Sequence, residues 1–167
     1  MFYNDVKRVA RHERRRVGAG NMLQTTALIH EAYLKLLRSP SFNDRAHFLR
    51  ASAQAMRHVL INYARESLAE KRGGGVGIES LTASHDIGFQ HDQSLIEVHD
   101  ALNRLELLDP RLAQVVECRF FAGLSEEDTA IALGVSDRTV RRDWIKARAW
   151  LRRELASGEA APEDRTE

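Results

Sequence analysis

Apolar residues recur every three or four positions along almost the whole chain, and no run alternates apolar and polar residues at every second position. Between residues 23 and 37 the pattern is strongest, with Leu28, Ala32 and Leu36 one helical turn apart. A similar pattern extends from about residue 46 to residue 65. Spacing of this kind predicts amphipathic helices rather than strands, so we expect an all-α fold.

The apolar pattern breaks between residues 69 and 93, where the chain is rich in glycine and polar residues. Such a composition is typical of a flexible linker and hence of a boundary between domains. We therefore expect two small helical domains with separate cores, at residues 1–68 and 94–157, joined by this linker. Residues 158–167 are expected to form an acidic disordered tail.

Signals for helix starts are explicit after the linker. Ser94 and Glu97 have the spacing of a capping box, in which each side chain binds the backbone of the other residue. Asp109 precedes Pro110, and this order places a capping side chain directly before a proline in the first turn of a helix. Both pairs therefore predict that a helix begins there.

A short helix, a tight turn and a longer basic helix follow, in the order of a helix-turn-helix. Ser125 starts the short helix, Gly134 permits a left-handed turn, and Ser136 caps the last helix. At about 100° per residue, the apolar residues of the last helix share one side. These residues are Val140, Trp144, Ala147 and Leu151.

The opposite side of the last helix is basic, and its position points to DNA as a partner. In helix-turn-helix proteins the first turns of this helix enter the major groove. Arginine there bonds guanine or phosphate, and lysine places a charge near the backbone. A basic face that is merely solvated is the alternative, and the pattern favours DNA binding over it. The expected contacts are Ser136, Arg138, Thr139, Arg141, Arg142 and Lys146.

Charge is segregated along the chain although the net charge is only +1. Arginines crowd a weakly apolar helical segment at residues 3–16, and residues 138–153 form a second basic block. Residues 79–109 are predominantly acidic. Basic blocks of this kind are either solvated faces or the footprint of a polyanion.

Length and composition favour a small protein of the cytoplasm. The 167 residues suit one ordinary domain or two small ones. No apolar run is long enough to cross a bilayer and no signal-peptide pattern follows the N-terminus, so we expect no membrane contact. Cys118 stands alone, which excludes a disulfide framework and a thiolate metal site.

Three histidines raise the question of a metal site. His85, His91 and His99 are not spaced so that two of them lie reliably on one helical face. We therefore expect solvated side chains and no metal or other cofactor. The sequence also shows no phosphate-binding loop and no nucleophile–base arrangement, so we expect a binding protein rather than an enzyme.

Two parts of the sequence resemble extracytoplasmic-function-type sigma factors of bacterial RNA polymerase. The block "LSEEDTAIALGVSDRTVRRDWIKARAWLRREL" is similar to sigma region 4, which recognises the minus-thirty-five promoter element. The blocks "LQTTALIHEAYLKLL" and "DRAHFLRASAQAMRHVLINYARE" are similar to region 2 of a subgroup with a "TLQTTALVHEAYLRL"-like signature. The resemblance covers nearly all of the chain and implies a protein that directs promoter-specific initiation of transcription.

For the first strongly apolar helix, the resemblance implies a contact with core RNA polymerase. This helix would dock on the clamp helices of the β′ subunit, and the β flap would be a second contact of the enzyme. The residues expected at the clamp are His30, Glu31, Tyr33, Leu34 and Lys35.

The resemblance also implies that the loop at residues 41–47 and the helix after it meet the minus-ten element, where the duplex opens. The loop residues would bond a base pulled out of the stack, and an outward polar face of the helix would support it. The residues expected in these roles are Asn43, Asp44 and Arg45 in the loop, and Arg50, Gln54, Arg57 and His58 on the helix.

Two departures from the family pattern concern the start of the chain. Relatives usually have another helix before the segment that matches "YNDVKRVARHERRR", so we expect region 2 to lack its first helix. Many relatives also carry carboxylates before the clamp-binding helix, where this chain has Thr25 and Thr26. Phosphorylation of a threonine there would add about −1.5 to −2 charges, whereas a plain capping role is the alternative. We expect a Ser/Thr kinase or an anti-sigma factor as regulator.

A helix-turn-helix repressor or activator is the alternative function. Such a protein would bind duplex DNA alone, at a palindrome, with N-terminal helices that dimerise or sense a ligand. A sigma factor of this type requires polymerase for stable promoter binding. Dependence on polymerase therefore separates the two functions.

Overall fold

The computed structural model describes residues 22–38, 41–73 and 83–159. Within these ranges no strand occurs, so the predicted all-α fold is confirmed. None of the described helices has an apolar stretch long enough to cross a bilayer. The helix expected at residues 3–16 and the tail beyond residue 159 lie outside the described ranges. The helices are α1 (Met22–Leu37), α2 (Arg45–Gly73), α3 (Ala83–Leu108), α4 (Pro110–Val116), a π-helical turn (Glu117–Phe121), α5 (Glu126–Leu133) and α6 (Asp137–Glu159).

Helix α4 begins at the cap that the sequence predicts. Asp109 is extended, and its Oδ1 accepts a hydrogen bond from the Leu112 N–H at 3.2 Å, with Pro110 in the first turn. The capping box predicted at Ser94 and Glu97 is wrong, because α3 has begun well before them and both residues lie inside that helix. A capping pair marks a helix start only where no helix precedes it.

Helices extend into the predicted flexible linker at residues 69–93 from both ends. Helix α2 continues past residue 65 because Leu68, one turn beyond Ala64, is also buried. Helix α3 begins at Ala83, so residues 83–93 of the predicted linker are helical, and its Asp92 is buried. Residues 74–82 lie outside the described ranges. The exact domain boundaries therefore stay a prediction.

Helix α2 lies at the centre of the described structure. It packs against α1 on one side and against α3, the π-helical turn and α5 on the other. We name residues 22–73 the N-terminal half and residues 83–159 the C-terminal half. One continuous cluster of buried apolar residues joins the two halves; its members include Leu36, Leu49, Val59, Leu102, Phe121 and Leu151.

This shared cluster differs from the separate cores that we expected. The reason lies in α2, whose middle turns are buried almost all round, at Ser52, Ala55, Met56 and Leu60 among others. A helix that is buried on more than one side requires neighbours on each of those sides. Since α1 covers one side, the helices of the C-terminal half cover the rest.

Candidate nucleic-acid interface

Helices α5 and α6 form the predicted helix-turn-helix. The Ser125 Oγ accepts a hydrogen bond from the Asp128 N–H at 3.0 Å and caps α5. Gly134 follows α5 with a left-handed φ of +65°. The Ser136 Oγ then accepts from the Thr139 N–H at 3.2 Å at the start of α6. The three predicted signals are confirmed. Ser125 begins α5, while Gly134 and Ser136 set the direction in which α6 leaves it.

One side of α6 holds the helix against its own half, as predicted. Val140 and Ala147 have no exposed surface, and Trp144 packs against both apolar clusters. The guanidinium groups of Arg119 and Arg148 lie 5.6 Å and 5.7 Å from the Trp144 ring, within the range of a cation–π contact. The tryptophan therefore fixes α6 through packing and through two cationic neighbours.

The opposite side of α6 is exposed and basic. It presents Arg138, Arg141, Arg142, Ile145 and Lys146. Of the other residues expected at the minus-thirty-five element, Ser136 is exposed and Thr139 is half-buried. Their hydroxyl groups lie 3.0 Å apart within the helix cap. The structure thus brings the six predicted residues together along the first turns of α6.

One arginine of this face has an acidic partner on α5. The Arg141 Nη2 and Nε lie 2.9 Å and 3.2 Å from the Glu126 Oε2. The hydrogen bond from Arg141 lowers the pKa of the Glu126 carboxyl. Because the arginine is well exposed, water and salt screen this pair, so Arg141 can exchange Glu126 for a phosphate at little cost.

Sequence reasoning missed a second acidic anchor, on the buried side of α6. The Asp143 side chain is only 1% exposed, and its Oδ2 accepts from the Arg111 Nε at 2.6 Å. Its Oδ1 lies 3.4 Å from the Arg142 Nε. The available signal is spacing, since Asp143 lies three residues after Val140 and shares its buried side. Asp143 thus holds Arg111 beside the exposed basic face.

The residues expected at the minus-ten element do not form one surface. Asn43, Asp44, Arg50, Gln54 and His58 are exposed. The last three lie four residues apart and form one stripe along α2. In the loop, the Asp44 Oδ1 accepts from the His47 N–H at 2.7 Å and caps α2.

The other two minus-ten residues point towards the C-terminal half. The Arg45 Nη2 lies 2.8 Å from the Asp128 Oδ1, which belongs to α5. Arg57 is only 8% exposed, so its expected outward orientation is wrong in this conformation. The reason is its position on the side of α2 that faces α3 and the π-helical turn.

Arg57 donates hydrogen bonds to three residues of the C-terminal half. Its Nε lies 3.1 Å from the His99 Nδ1, its Nη1 3.2 Å from the Glu117 Oε1, and its Nη2 2.6 Å from the Asn103 Oδ1. We name these four residues the Arg57 cluster. The Phe121 ring lies beneath, with its centroid 6.0 Å from the guanidinium carbon. A buried guanidinium is tolerated because its donors and its charge are matched.

The environment of the Arg57 cluster shifts two pKa values. Burial raises the pKa of Glu117, although the neighbouring Arg57 opposes that effect. Burial also lowers the pKa of His99, and the positive charge of Arg57 lowers it further. His99 was expected to be solvated; instead it is half-buried and accepts a hydrogen bond. The side chains of His85 and His91 lie outside the described part, and the described residues contain no cluster of metal-ligating groups.

Helix α1 has one buried and one exposed side. Ala32 and Leu36 pack in the core, whereas Tyr33 and Leu34 are 42% and 44% exposed. The Lys35 Nζ lies 3.4 Å from the Glu31 Oε1 beside this apolar pair. The other residue expected at the clamp, His30, is exposed as well.

Thr25 and Thr26 were expected directly before the clamp-binding helix. They lie instead in the opening turns of α1, because that helix begins at Met22. Their side chains are outside the described part of the chain.

Two comparisons with known proteins show what the chain is similar to. A family model described as "ECF sigma factor" matches residues 1–157, and so spans both halves. The RNA polymerase sigma-E factor of Streptomyces coelicolor is 34% identical over 105 residues, which is 61% of this chain. The aligned part spans only 56% of that relative's own length. No solved structure matches the chain.

Proposed function

The chain belongs to the ECF sigma factor family, and on that premise we propose that it binds core RNA polymerase and directs promoter-specific initiation of transcription. The observation that carries the proposal is the family match over both halves, together with an exposed basic face on the second helix of a helix-turn-helix. Such a protein acts in the cytoplasm, and the chemistry of RNA synthesis belongs to the polymerase.

In this proposal the basic face of α6 binds the minus-thirty-five element. Its first turns enter the major groove, where Arg138 and Arg142 reach base edges. Arg141 and Lys146 contact phosphates, and Arg141 leaves Glu126 to do so. Support comes from the exposure of all four side chains on one side of the helix.

The exposed stripe of α2 binds the minus-ten element. Arg50, Gln54 and His58 lie on one line of the helix, close to the loop that holds Asn43 and Asp44. Cationic and polar groups in such an arrangement support a displaced strand, while the loop accepts an unstacked base. Arg45 and Arg57 join this surface only after they leave their partners in the C-terminal half.

Helix α1 supplies the contact with the β′ clamp of the polymerase. Tyr33 and Leu34 are large apolar side chains that remain exposed in the described structure. An exposed apolar pair beside the Glu31–Lys35 ion pair has the mixed character of a protein-binding surface. The β flap would bind the C-terminal half.

Run-off transcription with core RNA polymerase on a promoter library tests this function. We expect transcripts from a defined set of promoters only when the protein is added. Core polymerase alone, and polymerase with the Tyr33→Ala/Leu34→Ala variant, provide the controls. Stable binding of the isolated protein to a palindromic duplex, without any polymerase-dependent initiation, would instead establish the helix-turn-helix repressor or activator.

We further propose that a Ser/Thr kinase acts on Thr25 and Thr26. Added phosphate near the start of α1 is stabilised by the helix dipole and strengthens docking on a basic surface of the clamp. We expect Thr25→Glu/Thr26→Glu to bind core polymerase more tightly than unmodified wild type, and Thr25→Ala/Thr26→Ala to stay weak. Equal affinities of wild type and the acidic variant would exclude control by phosphorylation at these threonines.

A further inference from the structure

Two sides of helix α2 make different contacts. Its exposed stripe faces the minus-ten element in the proposed function, while its other side shares a core with α3, the π-helical turn and α5. The C-terminal half, which carries α6, is thereby held against the N-terminal half. The distance between the two promoter elements therefore decides whether this arrangement can bind both.

The compact arrangement is too short to reach both elements. Elements at minus ten and minus thirty-five lie roughly 25 base pairs apart, or about 85 Å at about 3.4 Å per base pair. A compact chain of this length has a radius of gyration of about 15 Å and hence a diameter of about 40 Å. The two halves must separate before α2 and α6 can occupy their elements together.

We propose that the described arrangement is a closed resting state held shut by the Arg57 cluster, and that simultaneous binding of both promoter elements requires Arg57 to leave that cluster. The requirement for opening rests on the proposed sigma function, whereas the closed state itself rests on the geometry of the free chain. The Arg45–Asp128 ion pair is a further polar contact between the halves.

Arg57 holds the halves together more specifically than apolar packing does. Its three hydrogen bonds reach two different elements, since His99 and Asn103 belong to α3 and Glu117 to the π-helical turn. All of them break when α2 moves away as a unit. A partial opening that breaks this ion pair before water reaches the site leaves the Glu117 carboxylate, 13% exposed in the closed state, without its cation, which raises the cost of that step.

The same residue also favours the open state once DNA is present. Arg57 lies on α2 only one position from His58 of the exposed stripe. After separation its guanidinium is free to bind phosphate groups of the promoter, which replace the carboxylate of Glu117. DNA and the C-terminal half thus compete for one side chain, so that promoter binding and opening support each other.

A distance measurement on the free full-length chain tests the closed state. Nitroxide labels are placed at Glu66→Cys on α2 and Gln114→Cys on α4, two exposed sites in different halves, in a Cys118→Ala background. Double electron–electron resonance should give one short distance for this parent. Arg57→Met should raise the ratio of open to closed molecules roughly tenfold or more, because a hydrogen bond to a charged group is worth about that factor. Arg50→Met, an exposed arginine of the same helix, is the matched control and should leave the distance unchanged.

The distance measurement still tests the proposal if the Arg57→Met variant does not fold. If circular dichroism shows that Arg57→Met fails to fold, the milder Glu117→Gln and Arg45→Gln variants are compared with the parent in its place. An unchanged short distance in the folded Arg57, Glu117 and Arg45 variants overturns the proposal that the Arg57 cluster holds the halves together. A parent that is already widely separated overturns the closed state itself.

A second arm tests opening by adding core polymerase and promoter duplex to the labelled parent. We expect the short distance to be replaced by a long one in the complex. A short distance that persists in a complex active in run-off transcription overturns the requirement for opening. If polymerase does not bind at all, the sigma function fails, while the comparison of parent and Arg57→Met still decides the closed state.

Discussion

At the scale of single residues, the proposed function assigns base recognition and phosphate binding to different exposed side chains of α6. Arg142 faces outward near the helix start, so its loss should cost about 1–3 kcal/mol at one promoter and relax the base preference at one position. Lys146→Ala, one turn later, should weaken all promoters alike because a point charge contacts the backbone. Transcription from a randomised minus-thirty-five library distinguishes the two. Unchanged promoter selection by Arg142→Ala would refute this placement of the helix.

Another residue-scale consequence concerns His99 and pH. Its imidazole accepts a hydrogen bond from Arg57 through Nδ1, so only the neutral ring fits the cluster. Because burial and Arg57 lower its pKa in the folded chain, the unfolded chain binds more protons near and below about pH 6.5. The stabilising effect is therefore complete above that pH and is lost as the pH falls. The charged groups that act on the ring are Arg57, Arg65, Asp100 and His58.

We expect the melting temperature to fall more between about pH 7.5 and about pH 5.5 for the wild type than for His99→Gln. Glutamine keeps an acceptor for Arg57 but does not titrate. Glu117 has the opposite dependence, since its raised pKa makes it a better proton acceptor when folded. It is present in both proteins, so the comparison cancels its effect. If circular dichroism gives the same fall in melting temperature for both proteins, protonation of His99 does not destabilise the folded chain.

At the scale of elements, the sequence predicts those features that depend on a few neighbouring residues. The caps at Asp109, Ser125 and Ser136 each bind a backbone N–H three residues away, so the local pattern is sufficient. The π-helical turn and the shared core have no such signal. Arg57 meets His99 and Glu117 across 42 and 60 residues, and only the packing of helices brings their side chains together.

The same limit applies to the candidate site. On α6 the outward arginines follow from helical periodicity alone, because the helix has a single buried side. On α2 periodicity does not distinguish Arg57 from Arg50, since both are long cationic residues within a helix that is buried on several sides. Sequence reasoning therefore predicted the exposed side of α6 but gave Arg57 the wrong orientation, and the DNA contacts of the α6 residues stay a prediction.

The turn between α5 and α6 gives a prediction about that element. Gly134 has a φ of +65°, and a Cβ there would meet no atom within 4 Å. Gly134→Ala should thus lower the free energy of unfolding by roughly 1–2 kcal/mol through backbone strain alone. Gly158→Ala is the control, because Gly158 lies in helical backbone with open space around it and should be neutral or slightly stabilising. Urea denaturation measures both, and equal effects of the two changes would argue against a strained turn.

At the scale of the whole molecule, the shared cluster couples the two halves in the closed state. Phe121 has no exposed surface, lies in the π-helical turn and belongs to the cluster that includes α2. Val140 is equally buried but belongs to a separate small cluster with Val115 and Ala130, all within the C-terminal half. The two residues therefore report on different parts of the core.

Hydrogen exchange measured by mass spectrometry should show this difference directly. Phe121→Ala should cost about 3–5 kcal/mol and reduce amide protection in α2 as well as in α4, because the cavity opens between the halves. Val140→Ala should lower the free energy of unfolding by roughly 2 kcal/mol and reduce amide protection in α5 and α6. The amide protection of α2 should stay unchanged. If Phe121→Ala leaves α2 as protected as in the wild type, the halves fold as independent domains. The apolar contact between them would then contribute little to the stability of the closed state, and polar contacts such as those of Arg57 and Arg45 would have to supply it.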